Sequence, residues 1–208
     1  MATSWTFELD LLKELFNIGI GRSADTLSRM VDDEVLFQIS DAKLLSPEQP
    51  ATHHTPEELS SFTVQLAFHY QIDFGNHSIP TMVTLLASPE RVNRLIARLY
   101  GEATNTHELD EPSRDVYRTV MDLFVSTCMG SVSDLLGVTV RQERICFENH
   151  DLGAQGLACP ASNNCLCLEI AYTMPNIELE GQLHLLFDAA LLPDLTERYQ
   201  TILARAEG

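Results

Sequence analysis

Apolar residues recur at helical spacing over the first part of the chain. They lie three, four or seven residues apart at Leu9, Leu12, Phe16, Ile20 and Leu27, and the apolar surface is widened by Leu11, Leu15 and Ile18. This spacing gathers them on one side of a helix. The pattern therefore predicts a long amphipathic helix from about Thr6 to Val31.

Shorter apolar runs and turn residues predict the rest of the first half. We expect a strand, a polar loop, a β-hairpin that turns at Gly75-Asn76, and a second helix. The strand is predicted at 35–39, the loop at 46–61, the two hairpin strands at 62–74 and 79–86, and the helix at 89–100. Ser88 and Pro89 are typical of a helix start, and Gly101 is typical of its end.

After an acidic connector at 102–111, the same order of elements begins again. The predicted bounds are a long helix at 112–136, a strand at 138–147, a loop at 149–164, hairpin strands at 165–173 and 177–187, and a closing helix at 192–206. The two long helices align with an offset of 109, which places Gly21 on Gly130 and Asp25 on Asp134.

The repeated order of elements favours an α+β fold built by duplication, with repeats at about 6–101 and 110–206. We expect the two long helices to lie side by side across a pseudo-twofold axis and to pack on a mixed or antiparallel sheet. Two similar but unrelated halves are the alternative.

Composition and charge exclude several classes of protein. The 208 residues are 45% hydrophobic and 21% charged, which is typical of a folded chain with a core. The net charge of -17 repels phosphate backbones and anionic lipid, so we expect no nucleic-acid and no membrane partner. The N-terminal residues predict no signal peptide, and no apolar run approaches the roughly 20 residues of a membrane span. These features favour a soluble, cytoplasmic protein.

The cysteines and histidines do not form a recognisable metal motif. The five cysteines have no paired C-x₂-C spacing, and the seven histidines are scattered. We therefore expect free thiols, mostly buried as small apolar side chains, and no metal bound by this chain. The cysteines are Cys128, Cys146, Cys159, Cys165 and Cys167.

Four residues of the first helix form a stripe beside its apolar face. Asp10, Glu14, Asn17 and Gly21 lie at positions i, i+4, i+7 and i+11. Asn17 is followed by Gly19 and Gly21, although glycine costs about 1 kcal/mol relative to alanine inside a helix. Two glycines in one helix indicate close packing against another helix, close approach of a partner's backbone, or both.

This stripe carries a family resemblance. The segment from Asp10 to Ser28 resembles the signature helix of the CheC/CheX/FliY family, bacterial phosphatases that act on the phosphorylated chemotaxis response regulator CheY. The family signature is an acidic residue or Ser, three residues, Glu, two residues, Asn, and further on a Pro. Asp10, Glu14 and Asn17 match the first three positions, whereas the Pro position falls on Ser40. With the duplicated order of elements, the resemblance implies a single CheC-like domain over residues 1–208.

The resemblance implies catalytic roles for Glu14 and Asn17. The aspartyl phosphate of a receiver already has its Mg²⁺ and a Lys in place, so the phosphatase supplies an oriented water. The Asn17 amide would hold that water, and Glu14 would pair with the receiver's Lys. Asp10, Lys13 and Gly21 are expected to contact the partner. An ordinary exposed Lys13–Glu14 pair is the alternative interpretation.

The second half is expected to be inactive, because the offset of 109 places Thr119, Leu123 and Ser126 opposite Asp10, Glu14 and Asn17. We expect no cofactor on this chain and Mg²⁺ on the receiver. A CheD-like protein is a further possible partner, and the chain is a monomer or a homodimer. The alternative function is a non-catalytic scaffold of the chemotaxis or flagellar apparatus with the same fold.

Overall fold

The computed structural model describes residues 6–46, 64–101, 109–148 and 164–206. They form four α-helices and six β-strands. The elements are α1 (Thr6–Val31), β1 (Leu36–Leu45), β2 (Val64–Asp73), β3 (Ser78–Ala87), α2 (Pro89–Tyr100), α3 (Glu111–Leu136), β4 (Thr139–Glu148), β5 (Cys165–Met174), β6 (Leu179–Asp188) and α4 (Leu191–Ala206). A short 3₁₀ turn, Pro175–Ile177, joins β5 to β6. The predicted α+β order of elements is confirmed, and the loops predicted at 46–61 and 149–164 lie almost wholly outside the described residues.

The six strands form one antiparallel sheet in the order β1-β5-β6-β3-β2-β4. Strands β1, β2 and β3 of the first half correspond to β4, β5 and β6 of the second. Corresponding strands lie at equal distances from the centre of the sheet, so a pseudo-twofold axis passes between β6 and β3. Each half contributes a hairpin, and its first strand pairs with the hairpin of the other half. This exchange interleaves the two halves within one sheet.

The helices cover one face of the sheet. Alternate residues of the central strands, such as Leu66, Phe68 and Leu168, join the main core with the buried sides of α1 and α3. The residues that alternate with them along the strands point to the other face and form a second buried cluster, which includes Ala67, Leu86 and Leu186. Both faces of the central strands are therefore buried.

Helix ends follow the sequence signals. Ser88 caps α2 by accepting a hydrogen bond from the Arg91 amide, and Gly101 ends the helix in the left-handed conformation at φ 75°. In the same way, Asp110 caps α3 and Gly137 ends it.

By length and composition, α3 is the one helix in the described part of the chain that could cross a membrane, and half of its apolar window is buried inside the protein. Packing against α1 and the sheet accounts for that apolar composition.

β1 extends further than the sequence predicts. The strand was expected to end at Ile39 but continues to Leu45, with a register shift between Ile39 and Asp41. A β-bulge inserts one residue and so breaks the apolar alternation on which the prediction depends. β4 carries the equivalent shift where it passes His69 of β2.

Candidate functional site

The predicted stripe lies on the solvent side of α1. Asp10, Glu14, Asn17 and Gly21 are all exposed, whereas Leu12, Phe16 and Ile20 are buried on the opposite side. Residues three apart on a helix surface are neighbours, with Cβ atoms roughly 5–6 Å apart. Glu14 and Asn17 therefore present a carboxylate and an amide side by side to an approaching molecule.

Glu14 and Asn17 are not engaged by the rest of the protein. Among the described residues, neither side chain forms a hydrogen bond or an ion pair. Lys13, which is half-buried, instead lies 3.9 Å from Asp10, measured from Nζ to Oδ1. In the described structure Lys13 is therefore paired with Asp10 and not with Glu14, and the side chains of Glu14 and Asn17 are available to a partner.

The two helix glycines have different surroundings. A Cβ on Gly19 would lie 3.1 Å from the carbonyl oxygen of Cys128 in α3, so this glycine permits the close crossing of the two long helices. A Cβ on Gly21 would meet nothing within 4 Å. Gly21 has no packing requirement in the described structure, and it leaves a shallow surface beside Asn17.

Ile18 was assigned to the apolar face of α1 but is 40% exposed. It follows Asn17 directly, so an apolar side chain borders the candidate site. The sequence pattern missed this role because Ile18 lies at the edge of the wide apolar stripe, where periodicity alone does not separate core from surface.

Ser40, which stands where the family signature has Pro, lies at the register shift of β1. Its hydroxyl donates a hydrogen bond to the carbonyl oxygen of Glu169 in β5, at 3.1 Å. Proline in a sheet is confined to edges and bulges because it lacks an amide hydrogen. β1 is an edge strand with a bulge at this residue, so the local irregularity that suits Pro is present with Ser.

The correspondence between the two halves differs from the predicted offset of 109. α1 and α3 each have 26 residues and begin and end 105 residues apart. Asp32 and Gly137, also 105 apart, end the two helices with φ of 50° and 61°. The Ser28 and Ser133 carbonyls accept equivalent hydrogen bonds from residues 33 and 138. The predicted offset of 109 was therefore wrong by four residues. Four residues are about one helical turn, so the same side of the helix is buried with either offset, and the apolar pattern alone does not distinguish them.

With this correspondence, Glu14 matches Thr119 and Asn17 matches Asp122. The conclusion that the second half lacks the signature is unchanged, but its residues are different. The side chains there are also engaged: Thr119 donates to the Asp115 carbonyl at 2.8 Å, and Ser126 donates to Asp122 at 3.1 Å. Leu123 is 45% exposed.

Three of the four cysteines in the described part of the chain are buried, as predicted, and Cys159 lies outside it. Burial raises the pKa of the Cys128 and Cys167 thiols to about 12, so both stay protonated at neutral pH. Cys165 takes part in a disulfide, so the prediction of free thiols is wrong there. Cysteine count and spacing do not determine which sulfur atoms meet, because that depends on the folded backbone. Cys146 is only half-buried and lies beside His69 and Glu148.

The fold is that of the CheC, CheX and FliY proteins. No family model matches the sequence, and no curated protein matches it. Among solved structures, FliY of Thermotoga maritima superposes with a TM-score of 0.73 at 16% identity, over 97% of this chain and 99% of that one.

Two further structures share the fold. A CheC-like protein of Shewanella oneidensis MR-1 has a TM-score of 0.53 at 13% identity, over 83% of this chain and 96% of that one. A chain of the FliG–FliM complex of H. pylori has a TM-score of 0.59 at 12% identity, over 88% and 93%. The fold is therefore found both in a CheC-like protein and in a chain of the FliG–FliM complex.

Proposed function

We propose that this chain is a phosphatase of the aspartyl phosphate on a CheY-like receiver in bacterial chemotaxis signalling. The observation that carries the proposal is the pair Glu14 and Asn17, exposed, unengaged and adjacent on α1 of a CheC-type fold. A carboxylate and an amide at the signature spacing are what the family resemblance requires.

Asn17 orients the attacking water. A carboxamide both accepts and donates hydrogen bonds, so its oxygen accepts a hydrogen bond from the water and holds the water in line with phosphorus. The receiver supplies its own Mg²⁺ and Lys, which neutralise the charge that develops on the phosphoryl oxygens. This chain then needs no cofactor of its own.

Glu14 pairs with the receiver's active-site Lys and thereby sets the register of the two proteins. Its carboxylate has no competing cation among the described residues, because Lys13 is directed to Asp10. Asp10 and Lys13 flank this contact, Gly21 lets the partner's backbone approach, and Ile18 adds an apolar contact at the rim. A soluble cytoplasmic location follows from such a partner.

The test is phosphate release from a phosphorylated receiver domain of the same organism. Asn17→Ala is expected to lower the acceleration by about 10²-fold, as for other positioning groups. Asn176→Ala is a matched control, because Asn176 is also exposed but lies in the turn between β5 and β6, where it bonds Asp33. Equal rates for wild type and Asn17→Ala would overturn the catalytic assignment.

A scaffold role is the second candidate, favoured by the occurrence of the fold in the FliG–FliM complex. The partner would then be a receiver or a CheD-like protein that binds without chemistry. The same incubation separates the two: a scaffold binds the phosphorylated receiver and leaves the rate of phosphate loss unchanged.

A further inference from the structure

Three metal-binding side chains meet at one edge of the sheet, on the face away from the helices. His69 of β2 and Cys146 and Glu148 of β4 are brought together by strand pairing, although 77 residues separate His69 from Cys146. The distances are 3.8 Å from Cys146 Sγ to His69 Nε2, 3.9 Å from Sγ to Glu148 Oε1, and 3.5 Å from Nε2 to Oε1.

These distances fit one metal ion. The circle through the three ligand atoms has a radius of about 2.2 Å, within the range of about 2.0–2.3 Å for zinc bonds to oxygen, nitrogen and sulfur. An ion can therefore reach all three atoms with little movement of the side chains. Sulfur, imidazole and carboxylate together favour zinc over magnesium or calcium, which prefer oxygen ligands alone.

The surroundings include a group that orients the carboxylate. Gln65, which is buried in β2, donates from Nε2 to Glu148 Oε2 at 2.8 Å. This hydrogen bond holds one carboxylate oxygen and directs the other, Oε1, towards His69 and Cys146. Partners of this kind fix the geometry of metal ligands.

A competing cation is also present. The Arg144 guanidinium lies 3.2 Å from His69 Nε2, the atom that would bind the metal. Arg144 is exposed on an edge strand, so its side chain can turn into solvent when an ion binds. It therefore competes with the metal for the same nitrogen.

We propose that His69, Cys146 and Glu148 bind one zinc ion that fastens edge strand β4 to β2, beside the bulge in β4. The Cys146 thiol gives up its proton to solvent as the zinc–sulfur bond forms, and water completes the coordination. The site lies on the opposite face of the sheet from α1, so it is separate from the proposed phosphatase site.

The test is zinc binding to the metal-free full-length chain, measured by equilibrium dialysis and metal analysis. Wild type is expected to bind one zinc that Cys146→Ser, His69→Gln and Glu148→Gln each weaken by at least about 10-fold. Arg144→Gln is expected to bind zinc more tightly than wild type. His77→Gln is the matched control, because His77 contacts Asn76 and Asp194 away from this cluster.

Cobalt provides a second measurement that does not depend on stability. Co²⁺ bound to wild type should show a thiolate-to-cobalt charge-transfer band that is absent in Cys146→Ser and present in His77→Gln. Circular dichroism checks that each variant is folded. Zinc binding of equal strength in wild type and Cys146→Ser, or a cobalt spectrum without a thiolate band, would overturn the proposal.

Discussion

Gly19 of α1 lies directly against the backbone of Cys128 in α3, where an added Cβ would be 3.1 Å from the Cys128 carbonyl oxygen. The contact joins the first half of the chain to the second, at the crossing of the two longest helices. Gly19 is buried, whereas Gly21, two residues further on, faces solvent.

The two glycines should therefore respond oppositely to alanine. Gly21→Ala should raise the free energy of unfolding by about 1 kcal/mol, because alanine is the better helix former and has open space there. Gly19→Ala should lower it by about 1 kcal/mol, since the overpacking cost exceeds the helix gain. Urea denaturation of both variants measures the difference. A more stable Gly19→Ala protein would show that the helices separate easily.

Glu14→Gln should weaken binding of the phosphorylated receiver without stopping the chemistry. The variant keeps the size of the side chain but removes the charge that pairs with the partner's Lys, so KM should rise about 10-fold with kcat nearly unchanged. Asp10→Asn is the matched control and should have a smaller effect, because Asp10 already lies near Lys13. Steady-state phosphate release measures both. A large fall in kcat for Glu14→Gln would instead give Glu14 a direct part in the reaction.

Ile18→Ser should raise KM several-fold through loss of an apolar contact. Ile18 is 40% exposed, so the free energy of unfolding should fall by only about 1 kcal/mol. Leu123→Ser is the control, since Leu123 is 45% exposed on α3, in the half without the signature. Equal effects of the two substitutions on KM would remove Ile18 from the contact surface.

Most of the fold follows from local patterns in the sequence. Long helical periodicity, the Ser88-Pro89 start and the Gly101 stop gave helix bounds that agree with the structure to within a residue or two. The end of β1 was wrong because a bulge at Ser40 interrupts the alternation. The pairing of β1 with β5 is a contact between halves, and it depends on the exchange of strands rather than on any local signal.

Some residues of the candidate sites could be placed from local sequence spacing, and others only from the folded structure. The stripe with Glu14 and Asn17 lies within one helix, so spacing alone places both side chains on one face. The correspondence between Asn17 and Asp122 could be recognised only from the observed ends of α1 and α3, because shifting the alignment by four residues preserves the helical periodicity. His69, Cys146 and Glu148 meet only through the pairing of β2 with β4, which no sequence motif marks.

The Asp122 position should contribute nothing to phosphate release. Asp122 matches Asn17 by the helix ends, but its carboxylate accepts a hydrogen bond from Ser126 and repels a phosphoryl group. Thr119→Ala combined with Asp122→Ala should therefore leave kcat/KM unchanged, in contrast to the loss of about 10²-fold expected for Asn17→Ala. The same phosphate-release measurement compares them. A comparable loss from the second-half variant would mean that both halves are active.

Removing one partner of the ion pair between Lys43 and Glu169 should weaken the attachment of β1. Lys43 Nζ lies 2.6 Å from Glu169 Oε1, and the side chains are 14% and 10% exposed. Lys43→Met should cost about 3 kcal/mol, because the buried carboxylate then loses its neighbouring ammonium. The exposed pair Asp25–Arg29 is the control, and Arg29→Met should cost less than about 1 kcal/mol.

Replacing both partners tests the origin of that cost. Lys43→Met combined with Glu169→Leu should recover most of the stability lost in Lys43→Met, because it removes the buried charge together with its counter-charge. Urea denaturation of the single and double variants gives the interaction free energy. A double variant no more stable than Lys43→Met would assign the loss to packing of the lysine side chain instead of the charge.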